Sequence, residues 1–309
     1  VKILITGNAG FIGSNIADRL IEEVHKVAGV DNFLTGNIEN INEKVHQYYY
    51  SLTDEKQMDI VFRNFKPEMV FHCAASYNDA DNWNRDIETN CVGTSNIVKC
   101  CQKYNVKKLV YFQTALCYGD FIEQPITLSH PINPTRCSYA ITKTTAEQII
   151  DMSGIPCLTF RMANVYGPRH LSSCIPTFYL KLKNREKTII TNTKRSFVYI
   201  SDLVDLIVKT MDSKITGVYH LSTLQEVSIK FIFEAMAELM NIDIRDIEVN
   251  YQEPKEDNVK TILLDNLKTK MDFSDWYPKV GIIDGLKRSI EWYNKNKFDK
   301  TFTHLKLGK

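Results

Sequence analysis

The chain has 309 residues, 44% of them hydrophobic and 24% charged, a globular composition long enough for one large α/β unit or a main domain with a smaller partner. A formal charge of +1 excludes the general basic field that holds nucleic acid, so a phosphorylated ligand has to be met by local groups. No apolar run approaches the roughly 20 residues that span a bilayer, and Val1–Thr6 already reads as a strand, which leaves no room for a signal sequence. The eight cysteines and seven histidines show no CxxC pair and no metal-ligand spacing. They read as reduced, mostly buried thiols of a cytoplasmic protein, with no metal.

Along the first half, strand and helix patterns alternate. The β-rich runs are Lys2–Thr6, His25–Asp31, His46–Tyr50, Met69–Cys73, Lys108–Gln113 and Leu158–Met162. Between them Phe11–Glu23, Glu55–Asn64, Glu88–Tyr104 and Tyr139–Ser153 carry apolar residues at helical spacing. This order predicts an α/β fold: a Rossmann-type, doubly wound parallel sheet whose strand ends share one ligand crevice. After about residue 165 the rhythm breaks at Tyr166–Arg169 and at Ile175-Pro176. Short strands follow near Ile189–Thr191 and Gly217–Leu221, then helices at Ile229–Met240 and Asp284–Asn294, with an acidic stretch at Tyr251–Asp257. The expected division is a dinucleotide-binding domain at 1–165 plus about 194–222. A smaller, interleaved substrate domain takes about 166–193 plus 223–309.

Between the first strand and helix lies Thr6-Gly7-Asn8-Ala9-Gly10-Phe11-Ile12-Gly13. Gly7 permits the tight turn, Gly10 lets the backbone approach a pyrophosphate, and Gly13 allows close helix–strand packing. The helix N-terminus adds free N–H groups for phosphate. Asp31, about 20 residues on, stands where a carboxylate binds both adenosine ribose hydroxyls. Asn32 to Gly36 include no Arg or Lys to receive a 2′-phosphate, which favours NAD over NADP.

Tyr139 and Lys143 are four apart on a predicted helix and therefore share a face. An ammonium beside a phenol favours the phenolate, which can take a hydroxyl proton while hydride leaves the same carbon. Thr114, at a strand end, adds a hydroxyl that can share the same substrate oxygen.

With these residues in view, the chain resembles the extended short-chain dehydrogenase/reductase family, in particular its nucleotide-sugar epimerases and dehydratases. The likeness covers nearly the whole chain. It includes the glycine loop, Asp31, Leu52-Thr53-Asp54, His72-Cys73-Ala74-Ala75 and Asn90 within Thr89–Thr94. It continues through Thr114 with Tyr118-Gly119, Tyr139 with Lys143, Arg161–Arg169, Arg195–Tyr199, and Gly285-Leu286 with Glu291–Tyr293. The resemblance implies that Thr114 holds the substrate hydroxyl, Tyr139 is the acid/base, and Lys143 also holds the nicotinamide ribose. Cofactor contacts fall on Gly7, Ala9, Gly10, Phe11, Ile12, Gly13, Asp31, Asn32, Leu52, Thr53, Cys73, Ala74, Ala75 and Asn90. Asn164 and Arg195 match positions that bind the nucleotide diphosphate; a guanidinium is independently suited to phosphoryl oxygens. A homodimer pairing helices near 89–104 and 138–153 is also implied.

The family's outcomes separate beside Thr114. Its 4,6-dehydratases carry Asp-Glu there, and its sugar-acid decarboxylases carry Glu at the second position; here the residues are Ala115 and Leu116, neither of which moves a proton. Cys117 is one residue late to serve as the base of a 3,5-epimerase. Thr, Tyr and Lys without a second acid/base suit NAD-dependent 4-epimerisation of a nucleotide sugar, UDP-linked, through a 4-keto sugar. Gln113–Gly119 resembles enzymes of bacterial O-antigen gene clusters. A 4-reductase, a decarboxylating or dehydratase relative, and a non-catalytic dinucleotide-sensing binder are the alternatives. Tyr77, Asn78 and Trp83 are candidates to face the sugar, and Pro176-Thr177-Phe178 to line the base pocket. His220–Leu224 departs from the Asn and Gly that many relatives carry there.

Overall fold

The computed structural model describes residues 1–77, 79–120, 122–135, 137–211, 214–254 and 260–302. In chain order the first half runs β1 (Lys2–Thr6), α1 (Phe11–Glu22), β2 (Lys26–Val30), β3 (His46–Tyr48), α2 (Glu55–Phe65) and β4 (Met69–His72). Then come α3 (Trp83–Asp86), a π-helical stretch Ile87–Gly93, α4 (Thr94–Lys103), β5 (Lys108–Thr114), α5 (Ser138–Met152) and β6 (Cys157–Met162). The second half runs β7 (Asn164–Tyr166), α6 (Cys174–Lys183), β8 (Thr188–Thr191), β9 (Lys194–Arg195), β10 (Phe197–Tyr199), α7 (Ile200–Met211) and β11 (Gly217–Leu221). It ends with β12 (Val227–Ser228), α8 (Ile229–Leu239), β13 (Val249–Gln252), β14 (Thr261–Ile262), α9 (Leu267–Asp272) and α10 (Ile282–Lys295).

Seven strands form one parallel sheet in the order β11-β6-β5-β4-β1-β2-β3. The order reverses between β1 and β4, and the ends of these strands open the crevice where such sheets bind ligands. The strands are apolar on both faces because helices cover both. Ile3, Ile5, Phe71 and Val110 pack with Ile16 of α1 and Leu203 of α7, whereas Leu4, Val70 and Leu109 pack with Phe62, Ile97 and Ile150 of α2, α4 and α5. The later segments build small sheets of their own: β7 with β10, β8 with β13, and β9 between β12 and β14.

Two local features differ from the expectation. The predicted helix from Glu88 is the latter part of a helical run that starts at Trp83 and widens into the π stretch. Ile175-Pro176, which reads as a loop, is the first turn of α6, where a proline's missing N–H costs no hydrogen bond.

Candidate active site

The sheet crevice holds a cavity of about 550 Å³. Its floor at the β1 end is the glycine loop, and the three glycines there meet different constraints. Gly7 has φ +68°, and a Cβ on it would stand 2.7 Å from the Ala74 Cα. A Cβ on Gly13 would stand 2.4 Å from the Gly7 carbonyl oxygen, whereas one on Gly10 would meet only that same oxygen, at 3.2 Å. Turn, packing and open approach are thus divided as the spacing suggests. Gly10 is the N-cap of α1 and no side chain caps that helix, so its first-turn N–H groups face the cavity side without a side-chain acceptor.

Asp31 follows β2. Its Oδ2 accepts from the Ala9 N–H at 3.0 Å and its Oδ1 from the Phe33 N–H at 2.8 Å. Each oxygen keeps a lone pair for a ribose hydroxyl. Burial pushes this carboxyl's pKa up, against the pull of the Phe33 and Ala9 N–H groups. A Cβ on Gly36 would lie 3.0 Å from both Asp31 oxygens, and the wall beyond is Asn32, Thr35, Asn37 and Asn40. A positive-φ glycine, an uncapped helix end and an acid with spare lone pairs fit NAD, and among the described residues this rim offers no cation to a 2′-phosphate.

Two buried chains of hydrogen bonds hold the wall. In the first, Thr94 donates to the Asn90 carbonyl at 2.5 Å, so its oxygen accepts from His72 Nε2 at 2.9 Å. His72 Nδ1 then accepts from Thr6 at 2.7 Å, and Thr6 accepts from the Ala74 N–H at 3.2 Å. Burial, reinforced by Lys143, lowers the His72 pKa to about 3, so the ring is neutral. Asn90 donates to the Ser76 carbonyl and to Thr142 Oγ1, both at 3.0 Å, and accepts from the Ser76 N–H at 2.8 Å.

The second chain lies behind β5. Gln113 Nε2 donates to the Lys143 carbonyl at 3.0 Å and to Glu147 at 2.8 Å, while its Oε1 accepts from the Thr114 N–H at 2.8 Å. Glu147 pairs with Arg161 at 2.6 Å, both buried. Arg161 donates to Tyr118 at 2.9 Å, and Tyr118 bonds His220 Nε2 at 2.5 Å. The His220 Nδ1 donates to the Asp265 carbonyl at 2.7 Å.

Thr114 and Tyr139 both line the cavity, with Ala115 and Leu116 beside them. Thr114 caps the turn Ala115–Tyr118 by accepting the Leu116 N–H at 3.2 Å, which leaves its own proton for a ligand. Burial pushes the Tyr139 phenol up, and the next cause is Tyr77, whose ring stands edge-on at 5.9 Å. Lys143 follows Tyr139 by four residues, about one turn along α5. Its Nζ lies 4.0 Å over the Tyr111 ring, and burial pulls its pKa down to about 7, against Cys73 and Glu147.

The cavity gathers Gly7, Ala9, Gly10, Phe11, Ile12, Gly13, Asp31, Asn32, Leu52, Thr53, Cys73, Ala74, Ala75, Tyr77, Asn164 and Arg195. Lys143, Asn90 and Pro176 are not on its wall. The Asn90 amide is spent on Ser76 and Thr142. Cys174, Thr177 and Phe178 form the wall at α6, and Pro176 lies off that i, i+3, i+4 stripe. Trp83 is 61% exposed on α3, away from the wall. Asn78 lies outside the described residues.

Arg195 donates to the Lys194 carbonyl at 2.7 Å, and burial lowers its pKa to about 10, against Cys174 and Glu226. Sequence reasoning missed His170, Glu253 and Phe302, which also line the cavity. His170 directly follows the Arg161–Arg169 match and could have been included. Nothing local marks Phe302, which arrives by pairing with Ser172. All eight cysteines are free thiols, and no His/Cys/Asp/Glu group among the described residues could hold a metal.

Residues 3–221 match the NAD dependent epimerase/dehydratase family. The Bordetella bronchiseptica enzyme WbmH, solved with NAD+, is 38% identical, with a TM-score of 0.88 over 95% of this chain and 98% of that one. A UDP-glucose 4-epimerase of Thermotoga maritima, solved with UDP-glucose, is 30% identical, with a TM-score of 0.89 over 96% and 99%. A UDP-N-acetyl-alpha-D-glucosaminuronate decarboxylase of Bacillus cytotoxicus is 29% identical over 95% of this chain and 98% of its own.

Proposed function

This chain belongs to the NAD dependent epimerase/dehydratase family, and we propose that within it the protein inverts C4 of a UDP-linked sugar through a transient 4-keto sugar. The observation that carries this reading is the composition of the wall beside Thr114 and Tyr139. Ala115 and Leu116 cannot move a proton, and among the described residues the cavity's carboxylates are Asp31 and Glu253. Asp31 stands three strands from Thr114, roughly 14 Å at the spacing of a sheet. Glu253 accepts from Asn192. Dehydration or carboxyl loss calls for a further acid or base at the sugar. Oxidation and re-reduction at one carbon need only one.

NAD, held by the glycine loop and Asp31, would supply the hydride acceptor and donor. Thr114 holds the C4 oxygen, and Tyr139 takes the C4 hydroxyl proton as the C4 hydrogen leaves with its electron pair. After the 4-keto sugar turns, Tyr139 returns the proton to the oxygen as hydride returns to the other face of C4. Arg195 stands on the wall to meet the diphosphate. Oxidation and re-reduction cancel, so the reaction would consume no net cofactor.

The remaining parts of the reading are also proposals. Ile87, Val92 and Ile141 are exposed on packed helices, which supports a homodimer through that face. Free thiols agree with the cytoplasm. A dinucleotide domain at 1–165 plus about 194–222, with a substrate domain from the rest, agrees with β11 joining the main sheet while β8 and β13 pair apart. The test is incubation of purified protein with UDP-, dTDP-, GDP- and CDP-sugars, followed by NMR. We expect C4 inversion of a UDP-sugar at constant NAD. Net NADH formation or CO₂ release would refute it, and no turnover with any sugar favours the non-catalytic binder.

A further inference from the structure

His170 is held by its backbone: its N–H donates to the Gly167 carbonyl at 3.2 Å, and its carbonyl accepts from the Tyr293 hydroxyl at 2.9 Å. Its ring stacks on Phe11 with centroids 4.5 Å apart and planes 20° from parallel. Phe11 is the first residue of α1, whose N-terminus no side chain caps. The imidazole lines the cavity, yet its Nδ1 is buried without a hydrogen-bond partner among the described residues. A polar ring so placed is costly if stacking is its whole purpose, because a Phe or Leu would fill the space without an unpaired buried atom. Burial pulls the His170 pKa down to about 3, so the ring carries a single N–H. Unpaired acceptors are tolerated in interiors better than unpaired donors, which puts the proton on Nε2.

We infer that His170 is a further cofactor-binding residue, donating its Nε2–H to a pyrophosphate oxygen of the dinucleotide carried at the N-terminus of α1. The inference rests on the NAD reading above. The stack on Phe11 fixes the ring beside that helix end. The backbone N–H groups of α1 and this imidazole then approach the pyrophosphate from two elements.

The test compares H170F, which keeps the stack without the N–H, with H170Q, which keeps a donor. Calorimetric titration of the purified full-length chain with NAD is expected to show H170F weakened about tenfold, the loss of one modest charge-assisted hydrogen bond, with H170Q largely restored. The ³¹P resonances of bound NAD are expected to shift between wild type and H170F, and UDP affinity of the NAD-saturated protein is expected to stay unchanged. Should H170F fail to fold, H170L gives the same comparison. Wild-type affinity in the Phe or Leu variant, or a loss seen in UDP binding instead, would overturn the inference. Wild-type protein with no NAD affinity would sink the cofactor reading itself, a result distinguishable from either.

Discussion

Three buried imidazoles make stability depend on pH in a calculable way. Burial lowers the pKa of His72 and His170 to about 3 and of His220 to about 4, with the Asp265 carbonyl opposing the shift at His220. In the unfolded chain each returns to about 6.5. Between these values the unfolded state binds protons that the folded state refuses, so stability is present above pH 6.5 and is lost as pH falls. The geometry explains the refusal: His72 Nδ1 already accepts from Thr6, and His220 Nε2 from Tyr118. A proton at either nitrogen would remove the acceptor that each hydroxyl now uses. At pH 5.5 each group costs about 1.4 kcal/mol relative to pH 7.5, so the three together cost about 4 kcal/mol, a large share of a typical stability. Asp31, Asp151 and Asp202, pushed up by burial, act in the opposite sense. Urea unfolding without added NAD, repeated from pH 7.5 to 5.5, measures the loss. His220→Gln should cut the pH-dependent part by about one third whatever it does to absolute stability. A stability flat across this window would refute the reasoning.

Tyr139→Phe should lower turnover by at least about 100-fold, the scale of general acid–base catalysis, with NAD affinity unchanged; turnover near wild type would remove Tyr139 from its role. Glu147→Leu strands Arg161 in the interior and should cost about 3–5 kcal/mol in denaturant unfolding; a loss below about 1 kcal/mol would show that Arg161 finds water. Gly7→Ala forces a side chain to φ +68° and against the Ala74 backbone. It should cost about 1–3 kcal/mol and weaken NAD in calorimetry, and unaltered NAD affinity would show that the loop yields.

The glycine loop was legible because its constraints lie between near neighbours in sequence, and the strand–helix alternation because both faces of the sheet are covered. What stayed hidden depends on partners across the chain. Spacing shows that Tyr139 and Lys143 share a helix face, but Tyr111, on the strand beneath, decides where the ammonium rests. The π stretch leaves no periodicity distinct from an ordinary helix. The departure at His220 reads only as a local difference until Tyr118 and Asp265 are seen on its two nitrogens.

Contact and placement also separate in three dimensions. The segment from Cys73 to Tyr77 supplies four residues to the cavity wall, and it is pinned at two points, Ala74 by Thr6 and Ser76 by Asn90. Asn90 at the same time bonds Thr142, the residue before Lys143 on α5. One amide therefore sets the wall and α5 against each other, while Gln113 ties the Thr114 backbone to the Lys143 carbonyl from the other side. A fully satisfied buried network gives such an arrangement one low-energy register, because a slip of the helix would leave several donors unpaired together. In the proposed reaction the acid/base chemistry falls to a single tyrosine, so the positions of Thr114 and Tyr139 would have to be fixed by groups that do not touch the sugar. Asn90 and Gln113 hold them from opposite sides.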